Sequence, residues 1–394
     1  MKRRQRVLIL TADAGFGHRS AAKAIEEAIL DGHGDECDCK IVNPVDDLRT
    51  PGIIRRPQLN YDRTIRSSRG VYYLSYRMSD SLPISTVVEG VISRLMAPVF
   101  RDLLLKERPD AIISTYLLYN SALRSALKAH RMHTPFLSVI TDLADVHHMW
   151  FQPGPDMFFT ASDEVREEAI RSRVSPARVA VSGLPVDIRI PKEEREKDEI
   201  RRSLGWDPSL PTVLAVASKR VKGFVDKLEG VEGCGHPMQL VVVAGGNDAL
   251  YQEVNAREWK APIHTYNFVG NLPEMMLAAD VLVTKAGGLI VSEGLACGLP
   301  MILIDSISGQ ETGNVRYVCN HGVGVKAKTR EDVRNVLCEW LGNEGNVLRQ
   351  YAANARLLGK PGAAYRISDE IWKVLQRNER KAPAWVVQWP AGLA

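Results

Sequence analysis

The chain has 394 residues, 45% of them apolar and 25% charged. That length exceeds an ordinary single domain and predicts two, each with enough apolar material for its own core. A net charge of +4 is too small to mark the chain as a nucleic-acid binder, and no nucleic-acid module accompanies it.

Met1-Lys-Arg-Arg-Gln-Arg followed by Val-Leu-Ile-Leu has the opening of a signal peptide, but the apolar run stops at Asp13. A first β-strand explains it better. No uncharged apolar stretch reaches about 18 residues, so no transmembrane helix is expected and any membrane contact is peripheral. The cysteines Cys37, Cys39, Cys234, Cys297, Cys319 and Cys338 fit neither zinc spacing nor a disulfide framework. They point to a reduced, cytoplasmic compartment.

Short β-branched runs alternate with longer helical segments, the pattern of parallel α/β domains. Strands are predicted at Arg6–Leu10, Cys39–Asn43, Asp110–Ser114, Pro135–Thr141, Met157–Ala161 and Val179–Ser182. The second half predicts Pro211–Ala217, Gln239–Ala244, His264–Val269, Asp280–Thr284, Pro300–Ile304 and Gly324–Lys326. A hinge beginning at Gly183-Leu-Pro185 divides the chain into residues 1–184, residues 185–375 and a tail, 376–394. The expected architecture is two similar Rossmann-like domains facing each other across a cleft.

The first strand ends in Thr11-Ala-Asp-Ala-Gly15-Phe-Gly17-His18, and a helix follows. Glycines at a strand-to-helix turn let the backbone approach a ligand. A histidine at the helix start can remove a proton from an acceptor hydroxyl near neutral pH. A capping or structural histidine is the alternative. From Arg49 to Arg108 the alternation breaks, and within Arg49–Arg77 Arg55, Arg56, Arg63 and Arg66 are interleaved with Tyr61, Tyr72, Tyr73 and Tyr76. This is either a solvated insertion or a basic, aromatic surface for anionic lipid headgroups.

Further on, Val281-Leu-Val-Thr284-Lys285-Ala286-Gly287-Gly288-Leu289 reads as a buried strand, a glycine turn and a helix. Backbone N–H groups there are expected to face an anion such as a diphosphate. Glu293, about one and a half turns in, can accept hydrogen bonds from ribose hydroxyls. Gln310, Glu311 and Asn314 open the next helix with several hydrogen-bonding atoms, suited to a sugar ring. The same run also fits a plain capping segment.

Gly-x-Gly-His after strand one, Thr141-Asp142-Leu143 with His147 and Trp150, Gly183-Leu-Pro185, Thr284-Lys285-Ala286-Gly287 and Gly309-Gln310-Glu311-x-Gly313-Asn314 occur in this order. Together they resemble the monogalactosyldiacylglycerol synthases and processive diacylglycerol glucosyltransferases. That family is related to the enzyme adding N-acetylglucosamine to a lipid intermediate of peptidoglycan. The resemblance runs from about residue 6 to residue 375.

The resemblance implies a GT-B fold, a UDP-hexose held by the C-terminal domain, a lipid acceptor against the N-terminal domain, and inversion without an essential metal or cofactor. It implies His18 as base and Glu293 as ribose clamp. Gln310 and Glu311 would hold the sugar, with Asp142, His147 and Trp150 on the acceptor side. Gly17, Ser218, Arg220, Gly287, Gly288, Leu289 and Asn314 complete the donor set. The pattern departs from plant members at Phe16, where they carry glycine. It departs again at Gly288-Leu289-Ile290 in place of Pro-Gly-Thr. Ser218-Lys219-Arg220-Val-Lys222 replaces a glycine-rich loop, so that Lys219 or Arg220 would neutralise the leaving diphosphate by charge.

The expected chemistry is a single in-line displacement, with the domains closing to exclude water. A metal site at Asp142, Asp145, His147 and His148 is possible on paper, but adjacent ligands on one loop rarely converge unaided. The alternatives are a UDP-N-acetylglucosamine-dependent transferase or a nucleotide-sugar epimerase on the same fold, and a non-catalytic nucleotide-sugar or lipid-binding protein. The expected partners are a UDP-sugar, a lipid acceptor and an anionic membrane surface on its inner, cytoplasmic face, with no nucleic acid.

Overall fold

Val7 and Ile9 point to one face of the first strand, Leu8 and Leu10 to the other, and all four are buried. A strand with both faces covered belongs in the interior of a parallel α/β sheet. The computed structural model describes residues 3–13, 16–52, 54–55, 82–217, 223–306 and 311–381. The chain divides into two compact units, Arg189–Pro361 and Met1–Ile188 joined by the chain from Gly362 onward.

Unit 1 is a parallel sheet of β1 (Gln5–Leu10), β2 (Cys37–Val42), β3 (Ala111–Ser114), β4 (Phe136–Val139), β5 (Met157–Thr160) and β6 (Val179–Val181). The spatial order is β2-β1-β3-β4-β5-β6, so the direction of winding reverses between β1 and β3. The linking helices are α1 (Phe16–His33), α2 (Leu82–Glu107), α3 (Tyr119–Ala129) and α4 (Asp163–Arg171). Alternation divides the core into two faces. Val7, Ile9, Ile113, Leu137 and Val139 pack under α1, while Leu8, Leu10, Ile112 and Phe136 pack under α2 and α3.

Unit 2 begins with α5 (Lys197–Ser203) and runs through β7 (Thr212–Val216), α6 (Phe224–Glu232), β8 (Gln239–Val243), α7 (Asp248–Asn255), β9 (Ile263–Tyr266) and α8 (Leu272–Ala278). It continues with β10 (Val281–Lys285), α9 (Gly288–Ala296), β11 (Met301–Asp305), α10 (Thr312–Asn320), β12 (Gly324–Lys326), α11 (Arg330–Leu341) and α12 (Asn346–Leu358). The strand order is β12-β11-β10-β7-β8-β9. This is the Rossmann order, with its reversal between β7 and β10. The central strands TVLAV and QLVVV are buried throughout, whereas the edge strand IHTY is half-buried at every position.

Every strand expected from the sequence is present, with ends shifted by a few residues. The division at 184/185 and the end of the second domain at 375 differ from the structure. The last helix, α13 (Ala363–Lys381), returns to unit 1. Its stripe Ile367, Ile371 and Leu375 is buried with Ile25 and Ile29 of α1, Trp372 stacks on His33 at 4.2 Å, and the Tyr365 hydroxyl donates to Asp31 at 2.9 Å. A stripe at i, i+4, i+8 needs an apolar partner, and α1 supplies it. The tail expected at 376–394 is therefore helical as far as Lys381, and 382–394 lie outside the described residues.

Candidate active site

In open α/β sheets ligands bind outside the carboxyl ends of the strands, where the winding reverses. In unit 1 that point lies between β1 and β3. Leaving β1, the chain enters α1 with Gly17 and His18 in its first turn. A Cβ added at Gly17 would meet no described atom within 4 Å. Leaving β3 it supplies Thr115 and Tyr116, and leaving β4 it supplies Thr141 and Asp142.

His18 is half-buried, and two oxygens lie within hydrogen-bond reach of its Nδ1. The Thr115 carbonyl oxygen lies 2.8 Å away and the Thr141 hydroxyl 2.7 Å. A carbonyl only accepts, so Nδ1 carries the proton and Nε2 the lone pair. The Thr115 hydroxyl, directed at the carbonyls of Leu10 and His18 (3.2 and 3.0 Å), ties the helix start to the strand end. Tyr116 meets the imidazole edge-on at 5.1 Å, and the Trp150 ring lies 6.4 Å away. Burial lowers the His18 pKa from 6.5 to about 4, against the Thr115 carbonyl, which raises it. His18 is therefore neutral, in its base form, near pH 7.

Asp142 sits beside this group. The buried Trp150 donates its indole N–H to Asp142 Oδ2 at 2.7 Å. Burial pushes the Asp142 carboxyl up to about 6, opposed by that hydrogen bond. Trp150 is itself held from below, where Asn120 donates to its carbonyl at 3.1 Å. His147 is buried, and its Nδ1 accepts from the Met149 N–H at 3.2 Å, capping the short 3-10 turn His148–Phe151. Asp142, Asp145, His147 and His148 do not converge as a metal-binding group: among the described residues no such cluster of histidine, cysteine and acidic side chains occurs.

In unit 2 the reversal lies between β7 and β10. The chain leaves β10 through Lys285 and Ala286, and Gly287 is the N-cap of α9 with no side-chain cap. Gly288 and Leu289 are half-buried in the first turn, and Glu293 is half-buried one turn further. The next segment is bound to this turn. Glu311 ion-pairs with Lys285, and Asn314 donates to the Ala286 carbonyl at 2.9 Å. Both Glu311 and Asn314 are 5% exposed. Ser218, Arg220 and Gln310 lie outside the described residues.

Several residues at these strand ends escaped the sequence reading. Thr115 and Tyr116 directly follow the apolar run of β3, a position that marks the ligand end of a parallel strand. Lys227 of α6 donates to the Ile304 carbonyl at the end of β11, at 2.7 Å. Gly245 and Gly246 leave β8 with φ of 65° and 75°, and a Cβ on Gly245 would lie 2.8 Å from the Ala217 carbonyl oxygen. A Gly-Gly-Asn turn after a strand is the signal that was available. Phe268, past the end of β9, is 78% exposed.

Of the basic insertion, Arg49 is bound to Asp47 and Asp102, so its charge is neutralised locally. Arg55 is half-buried, while Arg56, Arg63 and Arg66 lie outside the described residues. Among the described residues no helix is long and apolar enough to cross a membrane.

A family model for monogalactosyldiacylglycerol (MGDG) synthase matches residues 18–186, and one for group 1 glycosyl transferases matches residues 196–358. Monogalactosyldiacylglycerol synthase 3 of Arabidopsis thaliana is 30% identical over 384 residues, covering 95% of this chain and 82% of that protein. The chain belongs to the monogalactosyldiacylglycerol synthase family. It is a UDP-sugar-dependent hexosyltransferase. The synthase of Spinacia oleracea is 29% identical over 384 residues, covering 95% of this chain and 73% of its own. Among solved structures, MurG of Acinetobacter baumannii superposes with a TM-score of 0.60 at 14% identity, covering 94% of this chain and 99% of that one. A putative UDP-N-acetylglucosamine 2-epimerase from Listeria monocytogenes also reaches 0.60 at 15% identity, covering 95% and 97%. The fold alone therefore does not separate transferase from epimerase; the sequence family does.

Proposed function

We propose that the protein transfers a hexose from a UDP-sugar to diacylglycerol or a glycosyl-diacylglycerol, with inversion, and that His18 is the base. The observation that carries this reading is the grip on Nδ1, which leaves the lone pair on Nε2 of a neutral imidazole. The acceptor hydroxyl gives its proton to Nε2 as its oxygen attacks the anomeric carbon, and the bond to the UDP oxygen breaks on the opposite face. Glu293 clamps the ribose. Gly287, Gly288 and Leu289 turn the start of α9 toward the diphosphate, where the N-terminal end of a helix favours negative charge. The sequence adds Ser218 and Arg220 to the diphosphate contacts and Gln310 to the sugar contacts, the latter beside Glu311 and Asn314. Asp142, His147 and Trp150 shape the acceptor side, and the exposed ring of Phe268 suits a flat base. The chemistry so written uses no metal or cofactor, and chelation leaves it unchanged.

The protein docks peripherally on the inner, cytoplasmic face of an anionic membrane through Arg55, Arg56, Arg63 and Arg66, each contributing about 1 kcal/mol. Nucleic acid is not a partner. Incubating the purified protein with labelled UDP-sugars and vesicles containing diacylglycerol tests the reading. A labelled glycolipid supports it; an epimerised UDP-sugar with no lipid product overturns it. Sedimentation with anionic vesicles tests the docking surface. Binding falls with added salt and on replacing the four arginines with glutamine, whereas salt-independent binding unaffected by the replacements would move the surface elsewhere.

A further inference from the structure

We propose that Thr141 is the positioning residue of the base: its hydroxyl, sharing Nδ1 with the Thr115 carbonyl, holds the His18 ring in the orientation that presents Nε2 to the acceptor. The inference rests on His18 being that base. The two contacts have different consequences. The Thr115 carbonyl, at 2.8 Å, cannot donate, so it decides the tautomer. The Thr141 hydroxyl, at 2.7 Å, then shares the same Nδ1–H as a second acceptor. One hydrogen bond leaves an imidazole free to swing about its bond to Cβ. Two oxygens within reach of Nδ1, one after β3 and one after β4, narrow that swing.

The clamp is built to hold still. Thr141 is 7% exposed and stands two residues past the end of β4, after the buried Ile140, so its hydroxyl has little room to move. Thr115 is fully buried, and its backbone N–H donates to the Leu10 carbonyl at 2.9 Å, tying the clamp to the sheet. The next residue, Asp142, is held by the Trp150 indole and is not the acceptor for Nδ1. Both atoms on Nδ1 are neutral. A carboxylate in that place would favour the imidazolium and raise the base's pKa, whereas a carbonyl and a hydroxyl orient the ring while leaving burial to keep it neutral.

The test compares Thr141→Val, which keeps the side-chain shape and removes the hydroxyl, with Thr141→Ser, which keeps the hydroxyl, and with His18→Ala. Turnover and KM for the UDP-sugar are measured on each. Histidine-labelled protein is examined by 15N NMR, with the His18 signal identified by its loss in His18→Ala. Thr141→Val lowers kcat by about tenfold, a fraction of the 10²–10⁴ that a general base supplies. KM for the UDP-sugar stays within about twofold, because Thr141 orients the base without touching the donor. Thr141→Ser restores most of the rate, and the parent His18 gives the Nδ1–H pattern. Parent-level turnover in Thr141→Val, an equal loss in the serine variant, or an Nε2–H signal in the parent overturns the proposal. If the valine variant fails to fold, Thr141→Ala, which also removes the hydroxyl, takes its place in the same comparison with Thr141→Ser. Retained transfer in His18→Ala would instead overturn the reading of His18 as base.

Discussion

Asn314 donates its side-chain N–H to the Ala286 carbonyl at 2.9 Å, so the segment expected to meet the sugar is bolted to the turn expected to meet the diphosphate. Asn314→Ala leaves a buried carbonyl without that donor, at a cost of about 1–3 kcal/mol. Urea unfolding should show that loss, and calorimetry should show weaker UDP binding with it, since the turn at Gly287 loses its brace. Unchanged stability with lost binding would mean that Asn314 acts on the ligand directly.

Glu311 shares its carboxylate with Lys285. Glu311→Gln keeps the shape and removes the charge, leaving the Lys285 ammonium, 19% exposed, with a neutral partner. The variant should lose stability and bind UDP-sugar less well than it binds UDP, because in the proposed arrangement the sugar alone reaches this residue. Equal losses for the two ligands, measured by calorimetry, would confine Glu311 to bracing the turn.

Glu293 stands one turn into α9 on its half-buried side. Its replacement by alanine should weaken UDP and UDP-sugar alike by about 2–4 kcal/mol, the worth of two hydrogen bonds to a carboxylate. Calorimetry showing unaltered UDP affinity would remove Glu293 from the site.

His18→Ala should lower kcat by about 100-fold or more with little change in UDP affinity. The pH profile adds a second check. Burial holds the His18 pKa at about 4, so the base stays neutral well below the ordinary 6.5. In an Asp142→Asn background, which removes the other nearby titration, kcat/KM should stay level as pH falls through 6.5 and decline only toward about 4. A decline centred near 6.5 would place the base in a more solvated setting.

The same two groups set opposing pH slopes of stability. His18 binds its proton less readily folded (about 4) than unfolded (6.5), so its contribution is complete above 6.5 and is lost as pH falls toward 4. Asp142 is raised from 3.8 to about 6, so its contribution is present below 3.8 and is lost as pH rises through 6. Between about 4 and 6 the slopes cancel. Asp142→Asn should uncover the histidine slope, adding a loss of about 1.4 kcal/mol per pH unit relative to the parent as the solution is acidified. Denaturant unfolding of both proteins across that range checks it, and parallel curves would refute it.

Much of this protein was legible from its residues in order. The strands announced themselves because a strand buried on both faces must be continuously apolar, as in TVLAV and QLVVV. Gly17, His18 and the Lys285–Leu289 turn were legible because a strand-to-helix turn that opens toward a ligand needs small residues at a fixed place. The stripe Ile367, Ile371 and Leu375 emerged only with the structure, although its spacing is helical. A stripe states only that something apolar covers it, and packing on α1 assigned the helix to unit 1. The grip on His18 was beyond the sequence altogether. Thr115 and Thr141 stand 97 and 123 residues from the histidine, and one of the two gripping atoms is a backbone carbonyl that every residue type carries. Neighbouring strands of a parallel sheet bring such atoms together at their carboxyl ends, so only the strand order β1-β3-β4 could decide which atoms hold the base.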